Sequence, residues 1–157
     1  MAQALTQSRL LKVCGLLNAE HVRYVVVGGF ALALHGYPRF TKDVDILIEP
    51  TLDNATRTLK ALEGLTWGIS RELDPADVIA KPFTIVGDDP RVDILTLACS
   101  IRYADAAPKI QTLDIEGVAV PIPDIDTLIR TKQTDRLRDK ADVEELERIK
   151  VLRSGAF

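Results

Sequence analysis

Tyr24-Val25-Val26-Val27-Gly28-Gly29-Phe30-Ala31-Leu32-Ala33-Leu34-His35-Gly36, continued after residues 37–42 by Asp43-Val44-Asp45-Ile46-Leu47-Ile48, is the stretch whose reading decides the fold. Tyr24–Val27 is β-branched and aromatic, the composition of a short buried strand. Two glycines follow at once, and then a helix-forming run, Phe30 to His35, stopped by Gly36 and Pro38. Asp43 and Asp45 stand two apart in a second apolar run that ends at Pro50. Side chains alternate faces along a strand, so the two acids share one face while Val44, Ile46 and Ile48 point the other way into a core. Gly-Gly at a strand-to-helix junction permits a sharp turn and leaves backbone N–H groups uncovered. The helix behind it offers the positive end of its dipole, so this junction suits phosphate. A ligand-free packing turn has the same sequence.

Outward from this stretch the pattern predicts an amphipathic helix over about 4–19, carried by Leu5, Leu10, Val13 and Leu16-Leu17. A helix over 51–62 carries Leu52, Ala55, Leu59 and Leu62 as one stripe. Phe83–Val86 and Arg91–Leu95, joined by Gly87-Asp88-Asp89-Pro90, read as a β-hairpin, and residues 110–122 hold a second pair of short runs around Glu116-Gly117. Two helices finish the chain, at about 124–134 with Asp124 as N-cap and at 138–152. The β-helix-β character of the first part and the later hairpin predict an α/β (α+β) fold, a mixed sheet flanked by helices, in one domain spanning 1–157.

Asp93 lies between Val92 and Ile94 with the same alternation as Asp43 and Asp45. If the two strands are neighbours, three carboxylates converge. Their repulsion would raise their pKa values unless a cation intervened, and hard oxygen ligands suit Mg²⁺. A single Asp on an exposed strand face, as Asp93 is when taken alone, is ordinarily just solvated.

The bulk numbers bound the answer. The 157 residues suffice for a real core, and 46% of them are hydrophobic, which excludes disorder. A formal charge of −3 gives no global attraction to nucleic acid. No apolar run reaches the ~18 residues of a membrane span, and the start resembles no signal peptide, so a cytoplasmic protein is expected. Cys14 and Cys99 read as small buried hydrophobes in a reducing compartment.

At Gly28-Gly29, Asp43-x-Asp45 and Asp93 the chain resembles the nucleotidyltransferase superfamily that includes DNA polymerase β, and the text from Gly28 to Asp45 is similar to small bacterial members. Those are the toxin-type nucleotidyltransferases of abortive-infection systems and minimal antibiotic nucleotidyltransferases. The resemblance extends to Lys132 and to Arg136-Leu137-Arg138-Asp139-Lys140-Ala141-Asp142. It implies a nucleotidyltransferase-like fold and transfer of a nucleoside monophosphate from an NTP to a hydroxyl of RNA, a protein or a small molecule, with Mg²⁺ or Mn²⁺. Asp43, Asp45 and Asp93 would hold the metal ions, Asp93 would double as base, and Gly28 and Gly29 would contact the phosphates. A homodimer or a toxin–antitoxin partner would supply acceptor surface that so short a chain lacks. The alternative implied by the same fold is a binding module, an antitoxin or nucleotide sensor without turnover.

Lys132 shares a helical face with Ile125, Leu128 and Ile129, so it either snorkels to water or reaches an anion. The resemblance favours the triphosphate. Arg39 and Thr41 would line the nucleotide mouth or else brace the turn before Asp43. His35 is expected to end its helix against Gly36, and Asp139 and Asp142, three apart beside Arg136 and Arg138, to form ion pairs. Residues 130–140 carry five basic and two acidic side chains, a local +3 that faces solvent or attracts a phosphate-bearing acceptor.

Overall fold

A computed structural model describes residues 2–155, with side chains from residue 7 onward. In chain order the elements are α1 (Ala2–Ala19), β1 (Tyr24–Val27), α2 (Gly28–Leu34), β2 (Val44–Ile48), α3 (Leu52–Leu62), α4 (Pro75–Ala80), β3 (Phe83–Val86), β4 (Val92–Leu95), α5 (Tyr103–Ala106), β5 (Ile110–Ile115), β6 (Val118–Pro123), α6 (Ile125–Arg130) and α7 (Leu137–Arg153). Residues 65–80, for which the pattern predicts no element, hold a 3₁₀ turn at Ile69–Glu72 and α4.

Four strands form a mixed sheet in the order β1-β2-β4-β3, and β5 and β6 form a separate antiparallel pair. The expected hairpin is β3 against β4, with Ile85 opposite Asp93. β2 and β4 are parallel neighbours, with Asp45 opposite Asp93. One expectation is corrected. β1 and β2, which the pattern links as a β-helix-β unit, are antiparallel, with Val27 opposite Asp45. α2 is two turns long, about 10 Å at 1.5 Å per residue. Residues 35–43 retrace that distance, so β2 starts where β1 stops.

Alternation sorts the sheet's two faces. Val26, Val44, Ile46, Ile48, Val86, Val92 and Ile94 point to one side and pack under α1 and α3. α1 contributes Leu10, Val13 and Leu17 as expected, with Cys14 completing an i, i+3, i+4, i+7 set and Leu16 only partly buried beside it. The Leu5 side chain lies outside the described residues. α3 contributes Ala55, Leu59 and Leu62, and Thr51 caps it by accepting the Asn54 N–H at 3.2 Å. Leu52, expected on the same stripe, stands exposed on the first turn.

The opposite face is apolar at one end only. There Val25, Val27 and Leu47 pack beneath Ile101 and Ala106. Its other end carries Asp45 and Asp93 and is flanked by a third packing group, Ala31 and Leu32 of α2 against Leu128, Ile129 and Leu146 of α6 and α7. The two final helices thus dock on α2 and bring the end of α6 beside the acids.

His35 ends α2 as expected, but its ring is buried. Nε2 lies 2.7 Å from the Pro123 carbonyl oxygen, and Nδ1 lies 3.1 Å from a terminal nitrogen of the Arg153 guanidinium. A carbonyl only accepts and a guanidinium only donates, so Nε2 carries the proton and the ring is neutral. Burial holds its pKa below the usual value against the pull of the Pro123 carbonyl. The ring is a structural clasp between α2, β6 and α7.

Among the described residues no helix is long and apolar enough to cross a membrane. Cys14 is buried as expected. Cys99 is not: it sits at positive φ in the tight turn closed by Ala98 and Ile101, and its exposed thiol donates to the Thr131 carbonyl at 3.2 Å.

Candidate functional site

β2 begins at Val44, which leaves Asp43 as the last residue of the loop before it. Asp45 follows on the strand, and Asp93 is its register partner across the parallel β2–β4 pair. All three carboxylates open onto one cleft with Gly28, Gly29, Thr41 and Lys132. The structure therefore brings together the residues the sequence suggests for metal and nucleotide, Arg39 among them.

The glycines are needed for contact as well as for conformation. Gly28 has φ +70, and a Cβ there would overlap the Asp45 carboxylate, whose γ-carbon would lie 3.0 Å away. At Gly29 a Cβ would meet the Thr41 Cβ at 3.1 Å and its hydroxyl at 3.2 Å. The missing side chains let the first turn of α2 sit directly on the acid pair and its preceding loop. Val27, the residue before α2, provides no side-chain cap. The first N–H groups of the helix thus have no intrahelical partner.

Burial is the largest cause that lifts the Asp45 carboxyl from 3.8 to about 7. The charge of Asp93, a hydrogen bond to the Asp93 carboxyl and the charge of Asp43 add to it, and Lys132 opposes it. Two neighbouring carboxyls repel when both are ionised, so each favours the protonated form of the other.

Arg91 supplies a cation on the other side. Its Nε donates to Asp93 Oδ1 at 2.9 Å, and a terminal nitrogen donates to Asp93 Oδ2 at 3.3 Å. The same Nε lies 3.6 Å from Asp43 Oδ2. Among the described residues no three His, Cys, Asp or Glu side chains are gathered as a ready coordination cage. The donor set still fits a hard divalent cation: three neighbouring carboxylates, with Asp45 raised by burial and by the other two acids, and Arg91 already held by Asp43 and Asp93.

Lys132 is placed differently from expectation. α6 ends at Arg130, so Lys132 lies in the turn behind the helix and not on it. The Thr131 hydroxyl bonds back to the Leu128 carbonyl at 2.6 Å, and the Lys132 N–H closes a tight turn on Ile129 at 3.0 Å. Local side-chain bonds of this kind compete with helix continuation. The Lys132 ammonium reaches Asp142 Oδ2 at 3.1 Å and Asp139 Oδ1 at 3.7 Å. Arg39 binds the other oxygen of Asp142 at 2.6 Å. Asp139 also accepts from the Thr134 hydroxyl at 2.6 Å and from Arg136 at 2.9 Å. Burial would raise the Asp139 pKa, but these donors and Lys132 hold it below the ordinary carboxylate range. The expected ion pairing of Asp139 and Asp142 is thus observed. These two buried acids, from the first turns of α7, hold Lys132 and Arg39 at the cleft wall.

The cleft has two lobes that share Gly28, Asp45, Asp93, Lys132, Arg136 and Asp139. One, of about 450 Å³, is walled by Val27, Phe83, Leu95, Leu97 and Ala98. The other, of about 300 Å³, is walled by Gly29, Arg39, Phe40, Thr41, Asp43 and Arg138. A lobe with apolar side chains on one wall and a lobe of interleaved basic and acidic side chains, joined at the carboxylates, offer a surface for a ring and cations for a phosphate. Arg91 and Phe83 escaped the sequence reading. The signal for Arg91 was its i, i+2 spacing from Asp93, which puts both on one face.

No protein-family model matches the chain, and no curated protein matches it. Among solved structures it is similar to a protein of Thermotoga maritima described as a "putative nucleotidyltransferase", at 16% identity and a TM-score of 0.56. The match covers 99% of this chain and 95% of that one. The element order, the mixed sheet and the two C-terminal helices together give this chain a nucleotidyltransferase-like fold.

Proposed function

We propose that the protein transfers a nucleoside monophosphate from an NTP to a hydroxyl-bearing acceptor, with Mg²⁺ or Mn²⁺ bound by Asp43, Asp45 and Asp93. The observation that carries this reading is the register pairing of Asp45 with Asp93, beside Asp43, at a cleft edged by Gly28-Gly29 and Lys132. Divalent ions, when bound, supply positive charge to the triphosphate and to the attacking oxygen. The chain's own residues account for the rest. The amides of Gly28 and Gly29 and the ammonium of Lys132 hold the phosphates, and Arg39 and Thr41 line the same lobe. Asp93 accepts the acceptor's hydroxyl proton. The freed oxygen forms its bond to the α-phosphorus, and the bond to the leaving pyrophosphate breaks. RNA such as tRNA, a protein and a small molecule are the acceptor classes, and a second copy or a partner protein would complete the acceptor surface.

The test is incubation with Mg²⁺ or Mn²⁺, each labelled NTP and total RNA, protein or small hydroxylated acceptors, beside the Asp43→Ala/Asp45→Ala variant. Label transfer that the variant lacks is the expected result. Absence of both transfer and metal-dependent NTP binding would overturn the reading. A second reading, a nucleotide-binding module without turnover such as a sensor or antitoxin, is favoured by the Arg91 guanidinium on two of the three acids. It predicts NTP binding with no label on any acceptor.

A further inference from the structure

Among the described residues, Arg91 is the cation that ion-pairs with Asp43 and Asp93, and no buried acid holds it back. Lys132 and Arg39 are tied to the buried Asp142. Among the described residues Arg91 instead has only Asp93 and Asp43 as ion-pair partners, and its side chain is 44% exposed. Its backbone is fixed, because its carbonyl accepts the Val44 N–H at 3.0 Å and so stitches the start of β4 to the start of β2. The guanidinium is thereby held between Asp43 and Asp93 yet free to swing into solvent. It uses both oxygens of Asp93 and faces Asp43 Oδ2, the atoms a divalent ion would need.

We propose that Arg91 is the site's resident counter-cation, which a divalent ion must displace, and that it thereby sets the affinity of the three-aspartate site for that ion. The proposal rests on the metal-dependent reading above and adds a residue to it. A single guanidinium charge offsets part of the repulsion among the acids, and a doubly charged ion replaces it at the cost of breaking a bidentate pair. A partly exposed pair of this kind is modest in strength, so its removal should change ion affinity by about two- to fivefold.

The experiment is titration of the nucleotide-free protein with Mn²⁺, followed by the electron paramagnetic resonance signal of free ion. Arg91→Gln is expected to bind Mn²⁺ about two- to fivefold tighter than wild type, with Arg91→Lys between them. Arg57→Gln is the control for net charge: Arg57 pairs with Asp53 on α3, on the opposite face of the sheet. It should bind as wild type does. Binding by Arg91→Gln that is equal to or weaker than wild type overturns the proposal. So does equal tightening by Arg57→Gln. In either case, ion binding by wild type that Asp45→Asn abolishes leaves the metal-site reading standing. If no variant binds Mn²⁺, both fall together.

Discussion

Asp45→Asn should make the metal-free protein more stable, and increasingly so as pH rises. The Asp45 carboxyl is lifted from 3.8 to about 7, first by burial and then by Asp93 and Asp43. Below pH 4 the group is protonated whether the chain is folded or not, and it contributes nothing. Between pH 4 and 7 the folded chain holds a proton that the unfolded chain has released, so stability falls as pH rises. Above pH 7 the penalty is complete. A displacement of that size corresponds to at most ~4 kcal/mol. Solvent around a half-buried carboxyl screens it to about 1–2 kcal/mol. Asparagine keeps the shape and the hydrogen bond to Asp93 but has no charge to lose. For a chain of this length the gain is about 2–8 °C in Tm. The assay is thermal unfolding of both proteins in EDTA from pH 5 to 8.5. The Tm difference should be small at pH 5, grow through pH 7 and then level off. A difference independent of pH, or a variant less stable than wild type at pH 8, would refute the reasoning.

Other perturbations test other parts of the site. Gly28→Ala combines a positive φ with overlap on Asp45, and urea unfolding should show a loss of about 2–4 kcal/mol. Gly29→Ala, whose Cβ meets only the Thr41 side chain, should cost less. Asp142→Asn leaves Arg39 without its buried acid and Lys132 with only the longer contact to Asp139, and should lower stability by about 3 kcal/mol, measured the same way. Thr84→Val removes the one buried side-chain polar atom among the described residues that has no partner, and it should raise stability by about 1 kcal/mol.

The fold was legible where period and punctuation agree. Alternation at Asp43-Val44-Asp45 and at Val92-Asp93-Ile94 put the acids on one face, and turn residues at Gly87–Pro90 and Glu116-Gly117 marked both hairpins. Strand direction was not legible, because the two-turn helix and loop between β1 and β2 could lead the chain to either end of the sheet. The end of α6 was missed because Thr131 bonds back to Leu128, a choice that periodicity does not see. Within the site, residue types at spacing found the acids and glycines. Arg91 was readable by the same alternation, but an arginine next to a strand looks like an ordinary solvated charge until its neighbours are known. The dual use of Asp142, one oxygen for Arg39 and one for Lys132, joins residues 39, 132 and 142. No local pattern contains that information.

The pairing of Asp45 with Asp93 across parallel strands also bears on how the chain finds its fold. Sliding β4 by one residue against β2 would turn Asp93 into the interior and push Val92 and Ile94, both fully buried now, towards water. The acids at these positions therefore act as a checksum on strand alignment. A misaligned sheet is rejected by the cost of an interred charge, and the residues that make the cleft useful also help ensure that only one arrangement of the strands survives.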